Sequence, residues 1–228
     1  AGSIVPVVQN MKDIPDERLA NTTEKAMQLA NVFQEDVTEV TRAAGAMMKQ
    51  FGIDGDTALD LIARGYQKGL NFSGEFLDTL NEYSVHFKSL GFSAEDMFNI
   101  LIKGADEGAW NLDKIGDAIK EGNIRFKDLS DSSKDAFKSL GLNANQMFKD
   151  FAAGGDKAKL AFMTVTGALA GIENETKRNE IGVALFGTQY EDLEKTVVAS
   201  FANITDELGN YEGAADEVAE KNKTLKQE

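Results

Sequence analysis

His86-Phe87-Lys88-Ser89-Leu90-Gly91-Phe92-Ser93 recurs as Ala136-Phe137-Lys138-Ser139-Leu140-Gly141-Leu142-Asn143, and Met48-Lys49-Gln50-Phe51-Gly52-Ile53-Asp54 is a weaker earlier copy. Each copy reads as the end of one helix and the start of the next. The glycine suits the left-handed position after a helix, where a residue without Cβ is favoured. Asp54, Ser93 and Asn143 are N-cap types, able to accept a hydrogen bond from the free N–H groups of a first turn. Ile53, Phe92 and Leu142 precede these caps, and Phe92 and Leu142 can staple onto Met97 and Met147. Downstream the register holds. Ala58, Met97 and Met147 align, as do Leu59, Phe98 and Phe148, and Ile62, Leu101 and Phe151, which places them on one helical face. Gly65, Gly104 and Gly154 fall at a common position and are expected to end the three helices.

Between the copies, Phe76, Leu80 and Tyr83 predict a helix from about Ser73, and Ile115 and Ile119 a shorter counterpart from Asp113. Both prolines, Pro6 and Pro15, lie near the start, so no later residue lacks the backbone donor that a helix needs. The 21 glycines punctuate segments of about one helix length. No strand's length of alternating residues occurs. The expectation is an all-α fold: an irregular helical-repeat, solenoid-like array of short helix pairs, in which units stack because one pair cannot bury its own apolar face. A helix-turn-helix segment and a C-terminal helix follow. The expected division is 1–20 (Ala1-Gly2-Ser3 as an expression scar, then an N-terminal arm), 21–160 (helical repeats), 161–204 (a helical segment with a Leu-Phe-Gly-Thr turn) and 205–228 (an acidic C-terminal helix or frayed tail).

Composition narrows function. The 228 residues carry 24 Lys+Arg against 38 Asp+Glu, a formal net charge of −14, which opposes direct nucleic-acid binding through the phosphate backbone. With 42% hydrophobic residues the chain can build a core. Cysteine is absent and His86 is the sole histidine, which removes thiol catalysis, Cys/His zinc sites and any Ser-His-Asp triad not built on that residue. Cysteine usage assigns no redox compartment. No basic segment followed by an apolar run marks a signal peptide. The longest mostly apolar stretch, Leu160 to Ile172, falls short of the roughly 20 residues of a membrane helix and reads as a buried helix.

Individual motifs read as structure. A phosphate loop would need Gly-x-x-x-x-Gly-Lys-Ser/Thr after a strand, which the Phe-Lys-Ser-Leu-Gly copies do not supply. Asp54-Gly55-Asp56 fails as a calcium loop, because Leu59 stands where the turn glycine belongs and Gly65 where the bidentate Glu belongs. With 38 acidic residues, carboxylate pairing by spacing carries no information. His86, between Val85 and Phe87 and aligned with Ala136, reads as a partly packed helix position. Trp110, in the Gly108-Ala109-Trp110 connection, reads as cover for a core edge, with a partner anchor as the other reading. No catalytic residue, no cofactor-binding residue and no metal ligand is assigned.

The last third carries the most particular stretch, Lys177-Arg178-Asn179-Glu180-Ile181-Gly182-Val183-Ala184-Leu185-Phe186-Gly187-Thr188-Gln189-Tyr190-Glu191-Asp192-Leu193. It resembles a recurrent segment of phage tail tape measure proteins, in which a helix ends in Leu-Phe-Gly-Thr and Glu-Asp-Leu starts the next. The upstream pairs, with Phe137 to Asn143 and Gly104-Ala105 to Leu112, resemble the same family's region before its coiled coil, so the resemblance covers about residues 40–200. On the residues alone, Gly187 would follow one helix and Thr188 cap the next, giving a tight bend between helices at Ala184–Phe186 and Leu193–Val198.

The resemblance implies a virion structural part and not an enzyme. It implies a segment of a protein that runs inside the tail tube, helps set its length during assembly and leaves ahead of the DNA. Implied partners are the tube, the tail tip and assembly chaperones, with self-association, and with no nucleic acid or membrane bound by this segment. The implied location is the virion tail, and the bacterial host cytoplasm during assembly. The chain lacks the long coiled coil, membrane-length segments and hydrolase domain of some members, and so reads as an excised globular piece. Two other readings stay open from the sequence: a helical-repeat adaptor domain binding another protein on a concave face, and a cryptic hydrolase or membrane-active domain.

Overall fold

The computed structural model describes residues 4–193 and 195–225. The Ala1-Gly2-Ser3 start and the last three residues of the acidic tail lie outside them. Among the described residues the fold is all-α, with thirteen α-helices, one 3₁₀ turn and no strand. The chain forms two compact units, 4–84 with 208–225, and 85–207, so the second is inserted into the sequence of the first.

The first unit contains α1 (Ile4–Asn10), α2 (Asp16–Phe33), α3 (Val37–Phe51), α4 (Gly55–Gln67), the start of α5 (Phe76–Ser89) and, after the insertion, α13 (Ala214–Leu225). Met11, Leu29, Val40, Met47, Leu59 and Ile62 are among its buried side chains. Helix α1 lies so close on α3 that a Cβ at Gly45 would stand 1.9 Å from the Asn10 carbonyl oxygen. Of the expected C-terminal helix or frayed tail, the described residues form the helix, Ala214–Leu225: Ala214, Ala215, Val218 and Ala219 are buried, and α13 packs on α2 and α4.

The second unit holds the end of α5, then α6 (Ala94–Asp106), α7 (Leu112–Arg125), α8 (Asp131–Ser139), α9 (Ala144–Ala153), α10 (Gly155–Ala170), α11 (Glu175–Phe186), a 3₁₀ turn (Gly187–Asp192) and α12 (Lys195–Ser200). Its core is aromatic. Phe126 stacks on Phe151 at 4.6 Å, meets Phe186 nearly edge-on at 5.4 Å, and lies 6.0 and 6.2 Å from Phe137 and Phe162. Helix α7 is 14 residues long, the same as α5, so it is not the shorter counterpart expected. Asn111, two residues before Asp113, supplies its cap by accepting from the Lys114 N–H at 2.9 Å.

The repeated stretch works as read, and the structure adds its hydrogen bonding. After α5, the N–H of Phe92 donates to the Phe87 carbonyl at 3.1 Å and that of Gly91 to Lys88 at 3.0 Å. After α8, Leu142 donates to Phe137 at 3.0 Å and Gly141 to Lys138 at 2.9 Å. This pair of crossed bonds around a left-handed glycine satisfies the last carbonyls of a helix and brings an apolar residue beyond the turn back onto it. Phe87 and Phe92 accordingly lie with ring centroids 6.0 Å apart. The next helix then starts on the expected cap. The Thr57 N–H donates to Asp54 at 2.8 Å, that of Asp96 to Ser93 at 3.0 Å and that of Gln146 to Asn143 at 2.9 Å. Ser93 and Asp96 complete a reciprocal capping box, with the Ser93 N–H donating to Asp96 at 3.1 Å.

The aligned apolar face is buried in all three helices, except that Met147 is only partly covered. Phe98 has no exposed surface, and Phe98→Ala is expected to cost about 3–5 kcal/mol by urea unfolding; a loss below about 1 kcal/mol would contradict its place in the core. The carboxyl of Asp54 is held below its ordinary 3.8 by the Thr57 backbone N–H first and the Thr57 side chain second. A carboxylate depressed by folding adds stability above its unfolded value, lost as pH falls through the folded one. Asp54→Asn keeps an acceptor that does not titrate, so its melting temperature is expected to fall less below about pH 4 than that of the unaltered chain.

Three expectations need correction. Only Gly154 ends its helix; α4 and α6 run two residues past Gly65 and Gly104, and Gly69 and Gly108 make the left-handed turns. The carbonyls of Gly65 and Gly104 instead accept from Leu70 and Ala109, both at 3.0 Å. A Cβ at Gly104 would meet Ile115 Cδ1 at 2.6 Å, so this glycine serves the approach of α7. The Leu160–Ile172 stretch is not buried throughout: α10 covers Ala161, Phe162, Val165 and Leu169, while Leu160 on the opposite face is 67% exposed. Trp110 does not cover a core edge, being 63% exposed.

Candidate functional site

The Leu185–Leu193 stretch and the elements beneath it form the most particular site of the second unit. Asn174 caps α11 by accepting from the Lys177 N–H at 2.8 Å. Helix α11 ends at Gly187, whose φ of 68° and ψ of −171° belong to a region that side chains exclude. Thr188 does not cap a following helix: residues 187–192 wind as a 3₁₀ turn without a side-chain cap, and α12 starts only at Lys195. The reason is packing. Phe186 is buried against Phe126, and Tyr190 folds back over α11 until a Cβ at Gly182 would stand 2.4 Å from its ring. One tightly wound turn satisfies both rings, whereas an immediate second helix would carry Tyr190 away.

Arg178, 6% exposed, donates from Nη1 to the Ile172 carbonyl at 2.8 Å, tying α11 to the end of α10. Burial raises the phenol of Tyr190, opposed by the guanidinium of Arg178 beside it. On the surface of the turn, Lys114 of α7 donates to Asp192 at 2.7 Å and stands 5.5 Å over the ring of Trp110. The Asp192 carboxylate, by the hydrogen bond it accepts, raises the ammonium of Lys114. Trp110 and Asp192 are the exposed part of the site, with Lys114 half-buried between them. Pattern reasoning named Trp110 but had no signal for Lys114 or Asp192, since that pairing spans 78 positions of the sequence.

His86 is placed as read, half-covered at the end of α5. Its Nδ1 lies 3.2 Å from the Asn123 amide nitrogen, while the Asn123 oxygen accepts from Lys127 at 2.6 Å. Lys127 also donates to Ser89 Oγ at 2.6 Å, and burial lowers its ammonium. This chain of contacts ties α5 to α7. Among the described residues no group of three His, Cys, Asp or Glu side chains is placed to hold a metal ion. Asp54 is an N-cap, and Asp56 pairs with Arg18 and, at 3.6 Å, with Lys25. No helix among the described residues is long and apolar enough to cross a membrane.

The fold and the site define an all-α protein in which polar side chains close turns and clasp helices together. The sequence pattern of the phage-related minor tail proteins matches residues 6–187, and the chain belongs to that family. It is 42% identical over 199 residues to a probable tape measure protein of Streptomyces phage phiC31, an alignment covering 86% of this chain and 27% of that protein. It is 41% identical over 182 residues to an uncharacterized Bacillus subtilis (strain 168) protein, YqbO, covering 79% of this chain and 12% of that one. The chain thus spans about a quarter and about an eighth of the length of these two relatives. No solved structure matches it.

Proposed function

We propose that this chain is a folded segment of a tape measure protein, a structural part of a phage or prophage tail and not an enzyme. The likeness to the probable tape measure protein over most of this chain is the observation that carries the reading. In this reading the whole protein runs along the tail tube during assembly, helps set its length and is released before the DNA. It meets other tail components: the tube, the tip and assembly chaperones, and copies of itself. Its place is the virion tail, after assembly in the host cytoplasm.

The segment itself is a poor ruler. Compact helices closed by glycine turns hold far less length than extended chain, and a compact unit of the size of residues 85–207 has a radius of gyration of only about 14 Å. Stretched as one helix at about 1.5 Å per residue, residues 85–207 alone would span about 180 Å. Deleting them from the full-length protein is therefore expected to shorten tails, measured by electron microscopy, by much less than that. Shortening near the full helical value would mean that the segment is threaded in extended form. Absence of the protein from assembling tails and an unchanged tail length in its deletion would overturn the tape measure reading itself.

A further inference from the structure

We infer that α13 is a latch, closed on the first unit chiefly by polar contacts and able to open while α2, α3 and α4 stay folded. Gly213, which precedes the helix, has no side chain with which to cap it; the Ala214 N–H donates to the Tyr211 carbonyl at 3.0 Å, while the N–H groups on either side of it turn to another helix. The cap comes from α4: the Asp60 carboxylate, in a side chain 8% exposed, accepts from the Gly213 N–H at 3.0 Å and the Ala215 N–H at 2.9 Å. One turn along α4, Arg64 Nε donates to the Leu208 carbonyl at 2.9 Å and fixes the segment leading in.

The rest of the grip is ionic and amide. Lys25 of α2, also 8% exposed, reaches Asp216 at 3.1 Å. Farther along, Asn222 donates to Gln28 at 2.7 Å, and Lys223 pairs with Glu24 at 3.3 Å. Against these, the apolar residues that α13 buries among its described side chains are Ala214, Ala215, Val218 and Ala219, little area for a three-turn helix. Helix α4 by contrast buries Leu59, Leu61 and Ile62, and α3 packs on α1, α2 and α4, whereas α13 packs chiefly on α2 and α4. An element with a small apolar grip opens locally ahead of its unit. The latch rests on these contacts and not on the tail reading.

Hydrogen exchange on the 228-residue chain tests it. In the unaltered protein the amides of 216–225 are expected to exchange about tenfold or more faster than those of α3. Asp60→Ala, which leaves the α13 N–H groups uncapped, is expected to raise α13 exchange a further tenfold or so with α3 unchanged. If that variant does not fold, the unaltered chain at about 0.05 and about 1 M NaCl serves instead, since salt weakens the pairs of Asp216 and Lys223 but not the core: α13 exchange should rise and α3 exchange should not. Exchange of α13 at the same rate as α3 under both conditions, or α13 protection unchanged in Asp60→Ala, overturns the latch.

Discussion

Gly91→Ala is expected to cost on the order of 3 kcal/mol or more, while Gly141→Ala, at the same position of the next copy, costs only about 1–2 kcal/mol. Both glycines take a left-handed backbone, with φ of 85° and 75°, so the strain of adding a Cβ is common to the two. Their surroundings differ. A Cβ at 141 would meet nothing within 4 Å, whereas one at 91 would stand 1.9 Å from the Gly155 carbonyl oxygen and 3.1 Å from the Lys159 nitrogen. Those are backbone atoms at the start of α10, which cannot turn aside as a side chain can. Either α10 shifts, disturbing Phe162 against Phe92 at 5.1 Å and Lys159 against Asp96 at 2.8 Å, or the turn after α5 opens. Urea midpoints of the two single variants measure the contrast. Equal losses would show that α10 does not bear on Gly91.

Phe126→Ala is expected to lose about 3–5 kcal/mol and to loosen the second unit more than the first. Phe126 is fully buried at the end of α7 and joins four other elements through Phe137 of α8, Phe151 of α9, Phe162 of α10 and Phe186 of α11. Removing the ring leaves a void that these side chains cannot fill without breaking their own edge-to-face contacts. Phe126→Leu, which retains most of the apolar volume, should recover a large part of the loss. Exchange measurements on Phe126→Ala are expected to show faster amides in α7 to α11 with α2 to α4 little changed. A loss confined to a few tenths of a kcal/mol would mean that the aromatic cluster repacks freely.

The family, too, was legible before the fold. The Lys177–Leu193 stretch carries a resemblance that the match over residues 6–187 establishes. Its geometry was read only in part: Gly187 turns the chain as expected, but Thr188 caps nothing, because the burial of Phe186 and Tyr190 decides the winding of residues 187–192. A similar limit applies to Trp110. A single tryptophan is more often covered than not, and only the folded chain shows that this one faces solvent, with Lys114 over its ring.

At the repeated stretches, the local order of residues sets where helices stop and start. The bonds that close those turns join residues at most five positions apart: Phe92 to Phe87, Leu142 to Phe137, Thr57 to Asp54, Asp96 to Ser93. Interactions of that reach are decided by local residue type, so a glycine, an apolar residue and a cap in the right order suffice. Tertiary structure alone decided the rest. Gly104 and Gly45 are defined by what approaches them, Ile115 in one case and the Asn10 backbone in the other. The cap of α13 is the clearest instance, since Asp60 reaches it across 153 positions of chain. Nothing near Gly213 in sequence announces that carboxylate; folding α4 against α13 puts it there, and a buried acid finds its hydrogen bonds only once both helices are in place.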